Sequence, residues 1–270
     1  RLLAKSGGAA PQADRLGLSA REMIALLEGN PGNEIERSQA ASAVHEVEDL
    51  VNAQRNHLPH VETAADDLRR RILASYGEGS ITAAMLAHLE AKHDVEVRQV
   101  EGDSFDGLVE DRVHLVNLAA PRTATRFDIA RRLMALELRE EIEELARNDR
   151  LSGEDARQVA RRAFANYAAG ALLFPYVPFL EAAEHYRYDM DRLAQRFDGS
   201  FEQIAHRLTT LRRPGAEGVP FAYLRSDPAG NISKPYSLPG LRMPRLGGAC
   251  PLWAVYAAFA EPHKTVAQLA

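Results

Sequence analysis

One long apolar repeat limits what this chain can fold into more than any other feature. Over residues 125–147 apolar side chains recur three or four positions apart, as one helix face requires; they are Phe127, Ala130, Met134, Leu138, Ile142 and Leu145. Thr125 followed by Asp128 is typical of a helix start, because a hydroxyl accepts a free amide and a carboxylate favours the positive helix end. We expect one core helix, which at about 1.5 Å per residue could cross a domain.

The size and composition of the chain are those of an ordinary globular protein. Its 270 residues, 46% hydrophobic and 26% charged, suffice for a substantial core and two units. The net charge of −5 argues against a chain built as a whole to hold nucleic acid. A single cysteine, Cys250, favours a reducing compartment, and we expect the cytoplasm.

Neither a membrane span nor a signal peptide is expected. The longest apolar stretch, residues 168–180, is short and contains two prolines. No signal peptide opens the chain. It also begins without a methionine, so we expect a piece of a longer protein.

The first two segments of the chain are polar. Residues 1–34 are rich in Gly, Pro, Ser and Asn, and ADRLGLSAREMIALLEGN within them fits either half of a helix-turn-helix or a short capped helix. Residues 35–79 predict two helices divided by Pro59. Their narrow apolar stripe favours a linker or dimerisation region over a core helix; it comprises Val44, Val47, Leu50 and Val51.

Residues 80–199 predict a mostly helical unit with two strands. VEVRQV and RVHLVNL alternate as a hairpin or as adjacent strands. Phe105, in the turn-rich connection between them, either folds back onto the core or faces a ligand. Ser152 is expected to cap the helix that ends before Pro175, and the apolar residues from Phe179 to Phe197 predict one further helix.

Residues 200–270 differ in character and predict a smaller α+β unit. Ser200 with Gln203 predicts a capped helix, and a hairpin is expected across residues 227–231. Cations and tyrosines are interleaved here, which suits either a phosphate-bearing nucleotide or the charged surface of a small sheet. They are Arg212, Arg213, Tyr223, Arg225, Lys234, Tyr236, Arg242 and Arg245.

The histidines give no metal-site pattern. His88 and His93 are five apart, and His57 and His60 flank a proline. We therefore expect solvated or core histidines. No Gly-rich phosphate loop follows a strand.

The sequence RFDIA, residues 126–130 at the start of the helix expected over residues 125–147, resembles ImmA/IrrE-type metallopeptidases, which read RF-x-x-A-HE-x-x-H. In that motif two histidines bind zinc and the glutamate is the general base. The corresponding residues here are Arg131, Arg132, Leu133, Met134 and Ala135. Where a further acidic ligand is expected, the chain reads Arg161, Arg162, Ala163 and Phe164. The resemblance therefore implies a pseudo-metallopeptidase that is not an enzyme and binds no catalytic zinc.

A second resemblance covers the C-terminal part. HRLTTLRRPGAEGVPFAYLRSDPAGNISKPYS and GGACPLWAVYAAFAEP resemble the C-terminal domain of short-chain fatty acyl-CoA regulators. These are XRE-type bacterial transcription regulators of propionate, methylcitrate and glyoxylate metabolism. Together the resemblances imply an α+β fold, in which a mostly helical ImmA/IrrE-like pseudo-metallopeptidase domain precedes a small α+β sensor domain.

The resemblance also implies a function. The chain would bind a short-chain acyl-CoA such as propionyl-CoA as effector and form a homo-oligomer. It would contact DNA through a helix-turn-helix domain largely absent from this sequence. The residues selected for ligand contact are Phe105, Arg126, Tyr176, Arg225 and Lys234. The alternatives are an active ImmA-like hydrolase and a dimerisation scaffold without ligand.

The resemblance further implies an iron–sulfur cluster in the full-length protein. Cys250 would be one ligand of several, because such clusters normally need about four thiolates. The alternative is a buried small apolar residue.

Overall fold

The computed structural model describes residues 2–5, 34–77, 79–101, 112–226, 232–236, 259–260 and 265–268. The helices are α1 (Glu34–Ala53), α2 (Pro59–Tyr76), α3 (Ile81–His93), α4 (Arg122–Glu137), α5 (Arg139–Ala146), α6 (Glu154–Leu173), α7 (Tyr176–His185), α8 (Met190–Phe197) and α9 (Phe201–Thr209). The strands are β1 (Leu2–Lys5), β2 (Glu96–Val100), β3 (Val113–Asn117), β4 (Arg212–Arg213), β5 (Ala216–Glu217), β6 (Tyr223–Ser226), β7 (Ile232–Tyr236) and β8 (Thr265–Gln268). The mostly helical α+β class is confirmed.

Helix α6 lies at the centre of the helical part. Its buried positions are mostly small residues, among them Ala160, Ala168, Ala169, Gly170 and Ala171. Small side chains let neighbouring helices approach closely, and α1, α2, α4, α5 and α9 all pack against α6. A helix that is apolar around its circumference is a core helix. The C-terminal half of α6 is therefore the core helix of the helical part, the role that the sequence predicted for residues 125–147.

Helices α1 and α2 belong to the same core. The division at Pro59 is confirmed, but the preference for a linker over a core helix is wrong for these residues. Val47 and Leu50 of α1, and Leu68 and Ile72 of α2, are at most 3% exposed. A narrow stripe is enough to bury both helices, because the face of α6 that receives them carries small side chains. A dimerisation role stays a prediction.

The single helix expected over residues 125–147 is wrong. Helix α4 ends at Glu137 and α5 begins at Arg139, with Leu138 at ψ 32° between them. Helix α4 also begins earlier, after Pro121, so Thr125 caps nothing. Proline fixes φ near the value a first helical turn requires, which made it the better start signal. The break at Leu138 lets both halves pack on α6.

Two other local expectations are also wrong. The apolar run after Phe179 is divided into α7 and α8, because Arg187 and Tyr188 adopt positive φ and Asp189 caps α8. Ser152 does not cap α6; its hydroxyl donates to Glu46 Oε1 at 2.8 Å, which ties α6 to α1. The Ser200–Gln203 capping box of α9 is confirmed.

The strands form short two-stranded sheets. β2 and β3 are parallel neighbours, so the expectation of adjacent strands is confirmed and that of a hairpin is wrong. A parallel pair needs a long connection, which residues 101–112 provide. β6 and β7 form the expected antiparallel hairpin, in which the backbones of Arg225 and Lys234 are directly paired. β1 pairs with β8.

No single helix in the described ranges is long and apolar enough to cross a membrane. Helices α6 and α7 together meet that length and composition test, but they are bent by 66° at their junction.

Candidate functional site

A buried ion pair joins helix α2 to helix α9. The guanidinium of Arg207 donates from Nη1 and Nη2 to the two carboxylate oxygens of Glu62, at 2.6 and 2.8 Å. Both side chains are at most 2% exposed. Tyr167 of α6 donates its hydroxyl to Glu62 Oε1 at 2.7 Å, and Arg207 Nε donates to the carbonyl of Phe174 at 2.9 Å. The pair is fully hydrogen-bonded, as a buried pair must be.

This network fixes the protonation states of its members. Burial alone would raise the pKa of Glu62, but the charge and hydrogen bonds of Arg207 outweigh it and the pKa is lowered. Burial raises the pKa of Tyr167 well above its ordinary value. Glu62 is therefore a carboxylate and Tyr167 a phenol that donates.

Tyr176, at the start of α7, connects this network to the β4–β5 turn. Its hydroxyl accepts a hydrogen bond from the backbone N–H of Arg213 at 2.7 Å and donates to the carbonyl of Ala216 at 3.0 Å. The guanidinium carbon of Arg213 lies 4.1 Å from the centre of the Tyr176 ring, a cation–π distance. Tyr176 thus fixes both the backbone and the side chain of Arg213.

Beside this turn lies a cleft of about 310 Å³, here called the junction cleft. Helix α2 contributes Pro59, Thr63, Asp66, Asp67 and Arg70 to its walls. The other walls are His57, which precedes α2, and Arg213 with Pro214 from the β4–β5 turn.

The charges in the junction cleft are unequally paired. Arg70 forms an ion pair with Asp67 within its own helix. Within the described ranges no carboxylate lies within 4 Å of the half-buried guanidinium of Arg213. A cation held on an aromatic ring without a carboxylate is suited to a ligand anion.

His57 adds a second polar group to the cleft. The residue is 6% exposed, and its Nδ1 is buried with no hydrogen-bond partner in the described part of the chain. Its ring meets the Tyr176 ring edge-on, with centroids 5.5 Å apart. Burial lowers the pKa of His57; the charge of Glu62 opposes this effect, whereas Arg213 and Arg207 add to it, and the net lowering favours the neutral ring.

Arg126 and Tyr176 are the two predicted ligand residues whose side chains the structure describes, and they contact different parts of the protein. Arg126 is 7% exposed and donates from Nη1 to the carbonyls of Phe197 and Asp198, at 2.7 and 2.6 Å. These hydrogen bonds join Arg126 to the C-terminal end of α8. Tyr176 is 1% exposed and stacks on Arg213 of its own chain instead of on an adenine. Ligand contact by either residue stays a prediction.

The remaining predicted ligand residues are Arg225, Lys234 and Phe105. Arg225 and Lys234 lie opposite each other in the β6–β7 register. Phe105 and Cys250 lie outside the described residues, as do residues 6–33 with the segment suggestive of a helix-turn-helix. The sequence selection missed Arg213 and His57 as a pair. The run of cations that includes Arg213 was the sequence signal for this site, but Tyr176, the aromatic partner of Arg213, lies 37 residues earlier.

The expectation that the histidines do not cluster is wrong for two of them. His88 and His93 of α3 both contact Glu137, the last residue of α4. Burial alone would raise the pKa of Glu137, but hydrogen bonds from Lys92, His88 and His93 lower it to about 2.

At the HE-x-x-H positions, by contrast, Arg131 pairs with Asp128, and Leu133 and Met134 are buried core residues.

The comparisons with known proteins agree with this architecture. Residues 90–209 match the sequence model of the IrrE N-terminal-like domain. Residues 210–270 match that of the C-terminal domain of the short-chain fatty acyl coenzyme A regulators. A solved structure of a Mycobacterium tuberculosis transcriptional regulator superposes with a TM-score of 0.71 at 34% identity, covering 81% of this chain and 68% of that one.

Named relatives are also regulators. The chain is 36% identical over 254 residues to the propionyl-CoA carboxylase regulator of Cereibacter sphaeroides, covering 92% of this chain and 53% of the relative. It is 34% identical to the HTH-type transcriptional regulator RamB of Mycobacterium tuberculosis, with 83% and 48% covered. It is 52% identical over 126 residues to PrpR from the same organism, with 47% and 26% covered. The chain thus spans about half the length of its relatives, or less.

The fold and the comparisons define an IrrE-like helical domain joined to a regulator's C-terminal segment. At the positions of the two zinc-binding histidines of the peptidases the chain has Arg131 and Ala135, and at the position of the general base it has Arg132. The chain belongs to the short-chain fatty acyl-CoA regulator family.

Proposed function

We propose that this chain is the effector-sensing region of a bacterial transcription regulator and that it binds a short-chain acyl-CoA such as propionyl-CoA. The observation that carries the proposal is the junction cleft. One wall comes from helix α2, and the other comes from Arg213 and Pro214, which lie in the segment matched to the acyl-CoA regulators. A ligand in this cleft touches both segments and can favour one arrangement of them over another.

The cleft carries Asp66 and Asp67 as well as Arg70 and Arg213, and Arg213 is the group that suits the anionic end of the ligand. Its volume is at the small end for a ligand site, so it would hold one part of a CoA thioester. CoA carries a diphosphate and a 3′-phosphate, and the guanidinium of Arg213 can bind such oxygens with two parallel hydrogen bonds. His57 also lines the cleft.

In the complete regulator, the ligand would change how a helix-turn-helix domain meets its operator. We further propose that the chain works in the cytoplasm as a homo-oligomer and cleaves no peptide, since the residues of the HE-x-x-H motif are replaced. Activity against a generic peptide substrate would contradict the last statement. An iron–sulfur cluster with Cys250 among its ligands stays a prediction for the full-length protein.

Calorimetric titration of propionyl-CoA tests the proposal. We expect the wild-type chain to bind, and Arg213→Ala to weaken binding about ten- to a hundredfold through loss of a charge-assisted contact. Arg212→Ala is the matched control, because the neighbouring arginine carries the same charge and does not line the cleft. Absence of wild-type binding at millimolar ligand would refute the function. Binding that Arg213→Ala leaves unchanged would refute only the location.

A further inference from the structure

A second polar cluster lies where the ends of helices α3 and α4 meet, and the proposed function does not use it. Glu137 ends α4, and its side chain is only 4% exposed. Its Oε1 lies 2.9 Å from His88 Nε2 and 2.6 Å from His93 Nε2. One donor atom from each of the three residues lies within 4.8 Å of the other two.

The convergence of these groups depends on the tertiary fold. Residues five apart on a helix are separated by about 140° around its axis, so His88 and His93 do not share a helical face. They meet because His93 is the last residue of α3, and Glu137 reaches in from another helix. The two rings are 6.0 Å apart at 63°, and both present Nε2 to the same oxygen.

This donor set is one that transition metals use. Two imidazole nitrogens and one carboxylate oxygen bind Zn²⁺ in open sites, where water completes a tetrahedron. Donors around such an ion, at bonds of about 2.0–2.1 Å, lie about 3.3 Å apart. The present separations of 2.6 and 2.9 Å would therefore have to open by about half an ångström. His88 and His93 are 13% and 18% exposed, so their rings reach the surface.

In the structure, the ammonium of Lys92 supplies the positive charge next to the Glu137 carboxylate. Its Nζ lies 2.8 Å from Oε1 and 2.9 Å from Oε2 of Glu137. A lysine ammonium donates hydrogen bonds but cannot ligate a metal. The Lys92 side chain is 52% exposed and can turn into water, whereas Arg71 stays more distant at 3.8 Å. Lys92 and a metal ion would thus compete for the same carboxylate.

We propose that His88, His93 and Glu137 form a binding site for a divalent first-row transition-metal ion, with Zn²⁺ the ion that best fits the donors. Lys92 is displaced on binding, and water takes the remaining position. The site differs from that of the peptidases, whose HE-x-x-H residues correspond to residues 131–135. It links the C-terminal ends of α3 and α4, so the bound ion would hold these two helices together.

Metal titration of the 270-residue chain tests the proposal. Chelator-stripped protein is titrated with Zn²⁺ in competition with a chromophoric chelator, and with Co²⁺ to record its visible absorption. We expect one equivalent to bind, and affinity to fall at least tenfold in His93→Ala and in Glu137→Gln. His185→Ala is the control, since this exposed histidine lies at the end of α7, outside the cluster. Circular dichroism establishes that each variant is folded.

Lys92→Met separates a metal site from a simple ion-pair cluster. Removing the competing ammonium should tighten Zn²⁺ binding severalfold, whereas an ion-pair cluster would gain no metal affinity. The proposal is overturned if neither wild type nor Lys92→Met binds Zn²⁺. It is also overturned if binding persists unchanged in both His93→Ala and Glu137→Gln.

Discussion

Glu62 and Glu137 are both carboxylates with a lowered pKa, but their surroundings differ. Glu62 is held by one guanidinium through two parallel hydrogen bonds, with a tyrosine hydroxyl as third donor. Glu137 is held by the Lys92 ammonium, which contacts both carboxylate oxygens, and by two imidazoles that each make one contact. The partners of Glu62 are buried, whereas those of Glu137 reach the surface.

The difference separates a structural ion pair from an adaptable one. A planar guanidinium matches a carboxylate in one geometry, and burial removes water as a substitute partner. Lysine and histidine are compact donors that can be replaced by water, a proton or a metal ion. A lowered carboxyl pKa alone therefore does not distinguish a structural carboxylate from one able to bind a ligand.

Breaking the buried pair should give the largest effect. Arg207→Ala leaves the Glu62 carboxylate buried without its partner, which should lower the free energy of unfolding by about 3–5 kcal/mol. Urea unfolding monitored by circular dichroism measures this. Arg192→Ala is the control, because that arginine is 66% exposed beside Asp189 and should change stability little. A loss below about 1 kcal/mol for Arg207→Ala would contradict the structural role.

Neutralising Glu137 should cost less. Glu137→Gln keeps the shape but weakens three charge-assisted hydrogen bonds whose donors reach solvent, and we expect a loss of about 1.5–3 kcal/mol. Unfolding is measured with a chelator present, so that no metal contributes. The exposed Glu90 of α3 supplies the control Glu90→Gln. A loss equal to that of Arg207→Ala would show that the two carboxylates are equally constrained.

A smaller effect is expected on acidification, through His57. Because its pKa in the folded chain lies below the ordinary 6.5, the unfolded chain binds the proton more readily. The contribution of His57 to stability is therefore complete above pH 6.5 and is lost as the pH falls below it. His57→Gln should lose less stability than wild type between pH 7.5 and 5.5, while His60→Gln should behave as wild type. The charged groups that act on His57 are Glu62, Arg213 and Arg207.

Lys92→Ala should have the smallest effect. Its ammonium is half-exposed, and such ion pairs contribute about 0–1 kcal/mol. Unfolding of this variant beside Glu137→Gln shows how much of the Glu137 cluster depends on its most exchangeable partner. A loss above about 2 kcal/mol would show that Lys92 contributes to stability like a buried ion-pair partner such as Arg207, and not like a surface lysine.

Local chemistry made parts of the fold predictable from sequence. The division at Pro59 and the Ser200–Gln203 capping box depend on neighbouring residues, and both are confirmed. The break at Leu138 is decided by packing on α6, and no local signal marks it. The clusters around Glu62 and Glu137 could not be predicted from sequence either, because their members lie far apart along the chain. Glu62 and Arg207 are 145 positions apart, and His93 and Glu137 are 44 apart.

The residues predicted to contact the ligand teach the same lesson. Arg126 and Tyr176 were selected because guanidinium and aromatic groups suit CoA. In the fold, protein groups occupy those roles: carbonyls at the end of α8 bind Arg126, and Arg213 stacks on Tyr176. Composition can identify the right kinds of side chain, but only the tertiary arrangement shows which of them retain free donors.

The central position of α6 has a consequence for how the chain opens. Helices α1, α2, α4, α5 and α9 share the surface of α6, so none of them can detach without exposing part of it to water. Local opening events should therefore be confined to the periphery, and the amide hydrogens of the C-terminal half of α6 should exchange with solvent only when the whole helical part unfolds. The slowest-exchanging amides of that half would then report the global stability of the helical part.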